Sequence, residues 1–193
     1  MLFRSVAQAA RASAIVQNLR SFIQKGDTER SVEDLNKVVG EATALGLVGA
    51  KETGISVRVE MSSEPLSVFI DKVQIQQVVF NLVRNSIEAM GEAPPPRNML
   101  VTTLVTHSAT EESVAEVSVS DTGPGLAPQI QAQLFQPFQT TKQKGMGLGL
   151  SICRSIIDSH GGRLQAIPNA ERGVTFRFTL PLQDQDGSDG SGR

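Results

Sequence analysis

Apolar residues recur along this chain with two different periods, and the points where the period changes divide it into elements. Leu2, Val6, Ala9, Val16 and Ile23 follow a heptad-like spacing, and Ala12, Ile15, Leu19 and Phe22 widen the stripe. That pattern predicts one long N-terminal helix with a bundle-forming face; a helix packed on its own domain gives the same period. Gly26-Asp-Thr-Glu-Arg30 ends it as a short charged linker. Ser31 with Asp34 reads as a capping pair that opens a second helix, with Leu35, Val38, Val39, Ala42 and Leu45 on its apolar face. The period then drops to two. Ile55, Val57, Val59 and Met61 alternate with polar residues as a half-buried strand does, and Leu66 to Ile70 predicts another strand. Asp71 caps the next helix, which runs toward Met90 and stops before Pro94-Pro-Pro96. Leu100 to Thr106 and Ala115 to Ser120 predict a strand pair. A helix from about Leu148 to His160 ends at Gly161-Gly162, and Arg163 to Ile167 with Val174 to Leu180 predict a closing hairpin. The order implies an α/β fold, a two-layer sandwich of a mixed sheet with its helices on one face, preceded by the long helix. The expected organisation is residues 1–26 as that helix, 27–31 as linker, 32–182 as the globular domain and 183–193 as a disordered tail without apolar residues.

Composition narrows the function classes. The 193 residues carry a net charge of −2, eight Phe, no Trp and no Tyr, so the core must be built from Val, Leu, Ile and Ala. With no basic block and no stacking platform, nucleic acid is not an expected partner. Cys153 is the one cysteine, which excludes an internal disulfide and fits a reducing compartment. No run of ~18 apolar residues is present to span a membrane, and the N-terminus lacks a signal region. The expected location is the cytoplasm.

Three stretches carry candidate chemistry. Gln77, Asn81, Asn85 and Glu88 share one stripe of the helix after Asp71, while Ile75, Val78, Val79 and Leu82 form its apolar face. For Gln77 and Glu88 a solvated helix face explains the pattern equally well. Asn81 and Asn85 are poor helix formers, and an amide oxygen is a neutral hard ligand suited to a magnesium ion shared with phosphates. Asp121, in Asp121-Thr-Gly-Pro-Gly125, follows a buried-looking strand. Its carboxylate can accept a hydrogen bond from the adenine amino group, which guanine lacks at that position; an Asp before a turn is the alternative. Gly123 and Gly125 leave room for the base. Gly145, Gly147 and Gly149 lie at a helix start, where backbone N–H groups can wrap a polyphosphate. Lys142 or Lys144, in the loop before them, can reach the phosphates. Cys153 reads as a buried structural thiol, His160 as a partner of the last helix carbonyls and His107 as an inert loop residue.

These pieces, in this order, resemble the sensor histidine kinases of the GHKL superfamily. Gln77 to Met90 is similar to their N box, Asp121 to Gly125 to G1, and Phe135-Gln-Pro-Phe138 with Thr140-Thr-Lys142 to the F box. Gly145 to Leu150 resembles G2, and Gly173-Val-Thr-Phe176 resembles G3. The likeness is closest to the FixL-type group and runs from about Ala7 to Leu182; the gyrase, Hsp90 and MutL ATPases share only the N and G1 pattern. It implies the Bergerat ATP-binding fold, ATP as substrate and Mg2+ as cofactor. Carried over residue by residue, it puts magnesium on Asn85 and Asn81 near the phosphates, both in the catalytic set. Arg84 and Glu88 join the ATP contacts, although Glu88 stands where some relatives have lysine. Asp121, Gly123 and Gly125 would hold the adenine, with Thr175 joining through water. Lys142, Gly145, Gly147, Leu148, Gly149 and Leu150 would form the phosphate end. Met146 replaces the Thr or Ser commonest in G2, as in the FixL-type group, and Phe135 and Phe138 would anchor a lid.

The same resemblance implies transfer of the γ-phosphoryl of Mg-ATP to a histidine followed by an acidic residue on a dimerisation hairpin. Neither His107 nor His160 has that context. Ala7 to Phe22 resembles the second helix of the hairpin, so the acceptor is expected outside this chain and autophosphorylation by it alone is not expected. The implied partners are a hairpin carrying the acceptor histidine, a response regulator, and a second copy through the N-terminal helix. The alternatives are an ATPase or serine kinase of the same superfamily, or a non-catalytic ATP-binding regulatory fragment.

Overall fold

The computed structural model describes residues 29–48, 50, 54–91, 93–108, 111–127, 130, 133–136 and 147–183. The long helix expected over residues 1–26, residues 27 and 28 of the linker and the tail from 184 onward lie outside them. The described elements are β1 (Ser31–Asp34), α1 (Leu35–Gly46), β2 (Ser56–Glu60), β3 (Ser67–Ile70), α2 (Lys72–Gly91), β4 (Asn98–His107), β5 (Ser113–Asp121), α3 (Gly149–Ser159), β6 (Arg163–Pro168) and β7 (Val174–Pro181).

The main sheet has five strands in the order β2-β4-β5-β7-β6. β2 runs parallel to β4, and every other pairing is antiparallel. Strict alternation separates its faces. Met99, Val101, Ala115, Val117, Val119, Phe176, Phe178 and Leu180 point to a buried side, where they meet Val78, Val79 and Leu82 of α2 and Ile157 of α3. The residues between them, such as Thr102, Ser118 and Arg177, form a polar far face that none of the described helices covers. This is the expected α/β sandwich. Burying each such Val, Leu or Ile is worth about 1.5–3 kcal/mol, so the apolar alternation carries most of the driving force.

One local expectation is corrected. Residues 31–34 do not open a helix: they form β1, which pairs antiparallel with β3 in a separate two-stranded ribbon. Ser31 bonds Glu33 instead of capping, and α1 starts four residues later with Asp34 Oδ1 accepting the Asn36 N–H at 3.0 Å. The extended conformation wins because β3 offers a ladder that local capping chemistry cannot anticipate. Asp71 does cap α2, its Oδ1 accepting from the N–H of Val73 and of Gln74. α1 and α2 pack closely at Gly46, where a Cβ would lie 2.8 Å from Val83 Cγ1. Glu41 joins the same two helices by accepting from Lys72 and Gln76, both at 2.8 Å.

His160 ties the end of α3 to the start of α2. Its Nδ1 lies 2.7 Å from the Ile156 carbonyl and its Nε2 accepts the Asp71 N–H at 3.1 Å, so the ring is neutral with its proton on Nδ1. The expected contact with helix carbonyls is present, and the link to α2 adds to it. Arg30 extends the junction by donating to the Ser159 carbonyl at 2.8 Å. Burial lowers the His160 pKa, and the Arg30 charge adds to that, against opposing contributions from the Ile156 carbonyl and Asp71. A depressed folded pKa means that the neutral ring's contribution is fully present above the unfolded value of about 6.5 and is lost as pH falls through the folded value. Thermal melts of the chain should therefore drop between pH 7 and pH 5 by more than those of His160→Gln; parallel pH profiles for the two proteins would refute this role.

Candidate active site

Asp121 is the last residue of β5 and is 3 % exposed. Pairing with Met99 turns its side chain to the helix-covered side of the sheet, against α2. Two backbone donors converge on Oδ1, the N–H of Gly123 at 2.9 Å and that of Val174 at 3.4 Å, which leaves the second oxygen uncommitted to the main chain. Burial raises the carboxyl pKa, while the Gly123 N–H, the nearby Ser86 hydroxyl and the Val174 N–H pull it back. No charged side chain takes part in that balance. Ser86, one residue beyond Asn85, is fully buried, and its Oγ completes no hydrogen bond of normal geometry, as only Thr43 does besides among the described residues.

Glycines let the backbone pack closely around the acid. A Cβ on Gly123 would stand 3.0 Å from Asp121 Oδ1 and 3.3 Å from Ala89 Cβ. Gly173, at φ +92°, passes so close that a Cβ would lie 1.8 Å from the Asp121 carbonyl oxygen. The loops around this floor are fixed by side chains. Thr122 Oγ1 donates to the Pro96 carbonyl at 3.0 Å, and Arg172 donates to the carbonyls of both Pro94 and Pro96. A buried carboxylate with one oxygen uncommitted to the main chain, set among glycines, suits a base with a donating amino group.

Asn81, Arg84 and Asn85 project from α2 half-buried, with Glu88 more exposed. Asn81 Nδ2 lies 3.7 Å from Cys153 Sγ on α3, which turns its amide nitrogen inward. Cys153 is fully buried and its thiol is pushed up to about 12, chiefly by burial, so it is an inert packing group as expected. Arg84 and Glu88 face each other at 4.0 Å. Among the described residues no three acidic, His or Cys side chains gather to cage a metal; the amide oxygen of Asn85 is a neutral hard donor of the kind that suits magnesium shared with phosphate and water.

At the start of α3, Gly147 has φ +66° and the N-cap is Leu148, which supplies no side-chain bond to the first-turn N–H groups. Ser151 bonds back to the Leu148 carbonyl instead of capping. An uncapped first turn next to Gly149 and Leu150 leaves donors for an anionic group. Phe135 packs on the core with Arg154 stacked over its ring at 5.5 Å. Phe138, Lys142, Lys144, Gly145 and Met146 lie outside the described residues.

Thr175 requires a correction. The register pairs Ser120 with Thr175, so both side chains point to the polar far face, and Asp121 points the other way. The Thr175 hydroxyl lies 2.9 Å from Ser120 Oγ and 2.7 Å from Asn169 Oδ1. Val174, through its backbone N–H, is the residue of this strand that meets the Asp121 carboxylate. The two-residue period of the strand was legible in the sequence; which parity faces inward was set by the register with β5. Sequence reasoning also missed Ser86 and Asn169, since neither stands out by residue type or spacing.

Residues 70–184 match the family model "Histidine kinase-, DNA gyrase B-, and HSP90-like ATPase". The chain is 48% identical over 185 residues to the Sensor protein FixL of Bradyrhizobium diazoefficiens, covering 96% of this chain and 36% of that protein. It is 35% identical over 178 residues to the Sensor protein TdiS of Thauera aromatica, of which it covers 32%. The chain thus spans about a third of the length of these relatives. Among solved structures, the catalytic domain of the histidine kinase ThkA superposes with a TM-score of 0.69 at 37% identity, covering 80% of this chain and 96% of that one. No described helix is long and apolar enough to cross a membrane. The chain belongs to the histidine kinase-, DNA gyrase B- and HSP90-like ATPase family, and its ATP-binding catalytic domain is of the histidine-kinase type, homologous to those of sensor kinases such as FixL and ThkA.

Proposed function

We propose that this chain binds Mg-ATP and transfers the γ-phosphoryl group to a histidine on a dimerisation hairpin, as the ATP-binding region of a two-component sensor kinase. The observation that carries the reading is the buried Asp121 carboxylate at the end of β5, beside the asparagine-bearing face of α2. Asp121 reads the adenine amino group, and Gly123 and Gly125 leave room for the base. Asn81 and Asn85 hold the magnesium and phosphate end from α2, with Arg84 and Glu88 at the rim. Gly147, Leu148, Gly149 and Leu150 offer the N–H groups of the first turn of α3 to the phosphates, and Lys142 and Gly145 belong to the same cradle. A bound Mg2+, held by Asn85, would supply neutralisation of phosphate charge. In the transfer, a hairpin imidazole nitrogen forms the P–N bond as the bond to the bridging β–γ oxygen breaks and ADP departs; the protein contributes position and electrostatics.

The parent assembly then includes the acceptor hairpin, a response regulator and a second copy of the chain joined through residues 1–26, all in the cytoplasm. ThkA has been solved in complex with the response regulator protein TrrA, and that structure superposes on this chain with a TM-score of 0.73 at 32% identity. It covers 92% of this chain and 49% of ThkA, which supports a regulator as partner.

Incubation with γ-labelled ATP and a separately supplied hairpin should put acid-labile, base-stable label on the hairpin histidine and none on this chain. Free phosphate without labelled protein would replace the kinase reading by an ATPase one. Asn85→Ala should abolish the magnesium dependence of ATP binding and weaken it at least about tenfold, ~1.4 kcal/mol; tight, magnesium-dependent binding in calorimetry would remove Asn85 from the metal site.

Asp121→Asn separates stability from recognition. A raised folded pKa means that the carboxyl's favourable contribution is present below the unfolded value and lost as pH rises through the folded one, so at neutral pH the buried charge is a cost. Asparagine removes that charge but presents an amide donor where the adenine amino group arrives. The variant should melt at the same or a higher temperature at pH 7.5, bind ATP at least about tenfold more weakly, and lose its preference for ATP over GTP. An unchanged nucleotide preference would show that Asp121 does not read the base.

A further inference from the structure

The β5–β7 ladder ends at Ser120 and Thr175, so the Asp121 main-chain carbonyl lies beyond the last backbone pair on that side. A side chain occupies the place of the missing strand partner. Asn169, at the start of the turn between β6 and β7, donates Nδ2 to the Asp121 carbonyl at 2.8 Å and to Ser120 Oγ at 3.2 Å. Its own N–H bonds the Gly173 carbonyl at 3.1 Å and closes the turn. Thr175 Oγ1, 2.7 Å from Asn169 Oδ1, fixes which end of the amide faces Asp121. All of these side chains lie on the polar face, across the sheet from the Asp121 carboxylate. The same face holds a shallow concavity of about 390 Å3 lined by Arg58, Asn98, Leu100, Ser120, Thr122 and Asn169.

We propose that Asn169 is a positioning residue for base selection: from the far face of the sheet it holds the Asp121 carbonyl, and through that peptide the carboxylate that reads adenine. The inference rests on the adenine role of Asp121 and extends it to a residue that touches no nucleotide. The coupling is short. Gly173 leaves no slack, because its missing Cβ brings its backbone against the Asp121 carbonyl, and the next residue, Val174, donates to the carboxylate. Asn169 spans this turn, so the carbonyl and the carboxyl of Asp121 are held by two ends of one loop. Removing the amide frees the carbonyl and lets the loop and the Val174 N–H move together. A misplaced carboxylate loses its directional bond to the base, whereas contacts to the phosphates, made from α2 and α3, are untouched.

The test is calorimetry on the full chain with ATP, GTP and inorganic tripolyphosphate, for wild type, Asn169→Asp, Asn169→Ala, Thr175→Val and Asp121→Asn, alongside thermal melts. Asn169→Asp keeps the shape and places an acceptor against the Asp121 carbonyl. Both Asn169 variants should lose about tenfold in the ratio of ATP to GTP affinity with tripolyphosphate binding unchanged, and Thr175→Val should shift the ratio the same way by less. An unchanged ratio, or a loss shared equally by all three ligands together with a lower melting temperature, would show a merely structural asparagine and overturn the proposal. Asp121→Asn keeps the two readings apart. If it abolishes the ATP preference while the Asn169 variants do not, only the positioning role fails; if wild type shows no ATP preference, the adenine role fails and the inference with it.

Discussion

An ionisable side chain at 3 % exposure is held at the end of a central strand, and much of the surrounding architecture serves to keep Asp121 there. Burial alone drives its carboxyl toward the neutral form, and what opposes that drive is a ring of oriented dipoles: two backbone N–H groups and a serine hydroxyl. Those dipoles come from three separate pieces of chain, the turn after β5, the first residue of β7 and the C-terminal half of α2. None can move far without exposing or stranding the carboxylate. The floor is built from glycines for the same reason, since at Gly123 and Gly173 any side chain would take the space of the acid or collide with its carbonyl.

α2 links this acid to the rest of the chemistry. One stripe of the helix, Ile75, Val78, Val79 and Leu82, is fully buried and fixes its height on the sheet. The neighbouring stripe carries Asn81 and Asn85, while Ser86 and Ala89 reach the Asp121 side. A single rigid rod therefore sets the distance between the base-reading end and the phosphate end. α3 is fastened to it twice, by Asn81 against Cys153 near the start of α3 and by His160 to Asp71 at the other end. Arg30 adds the incoming chain to that second fastening, so the junction with the N-terminal segment sits on the helix whose first turn is open to an anion.

The far face of the sheet has none of the described helices over it, yet it is not idle. Its hydroxyl and amide side chains are paired across strands, Thr102 with Ser118 at 2.7 Å and Thr175 with Ser120 and Asn169. Arg177 bridges Gln165 and Glu116 in the same row. Such pairs substitute for a second apolar layer and hold the strand ends that carry the site. A polar strand face can thus be a structural partner of a buried acid on the opposite side.

Much of the fold could be read from local pattern. Alternation along Leu100–Thr106 and Ala115–Ser120, the Asp71 cap and the Gly161-Gly162 stop each rest on interactions within a few residues, and the structure has all of them. The motif residues were legible too, because few chemistries demand two asparagines a turn apart, an acid before glycines and a glycine-flanked helix start. Residues 31–34 were misread because their conformation comes from β3, more than thirty residues away. Thr175 was placed near the adenine by the family resemblance, and only the pairing of Ser120 with Thr175 shows that its side chain faces the other way. Ser86 and Asn169 carry no local signature: a serine in a helix and an asparagine in a turn acquire their roles only when α2 and the β6–β7 turn are brought to opposite sides of one residue. Sequence alone determined the elements and the chemical inventory, since these depend on period and residue type. Tertiary structure decided which groups face the acid, since that depends on strand register and on contacts between distant segments.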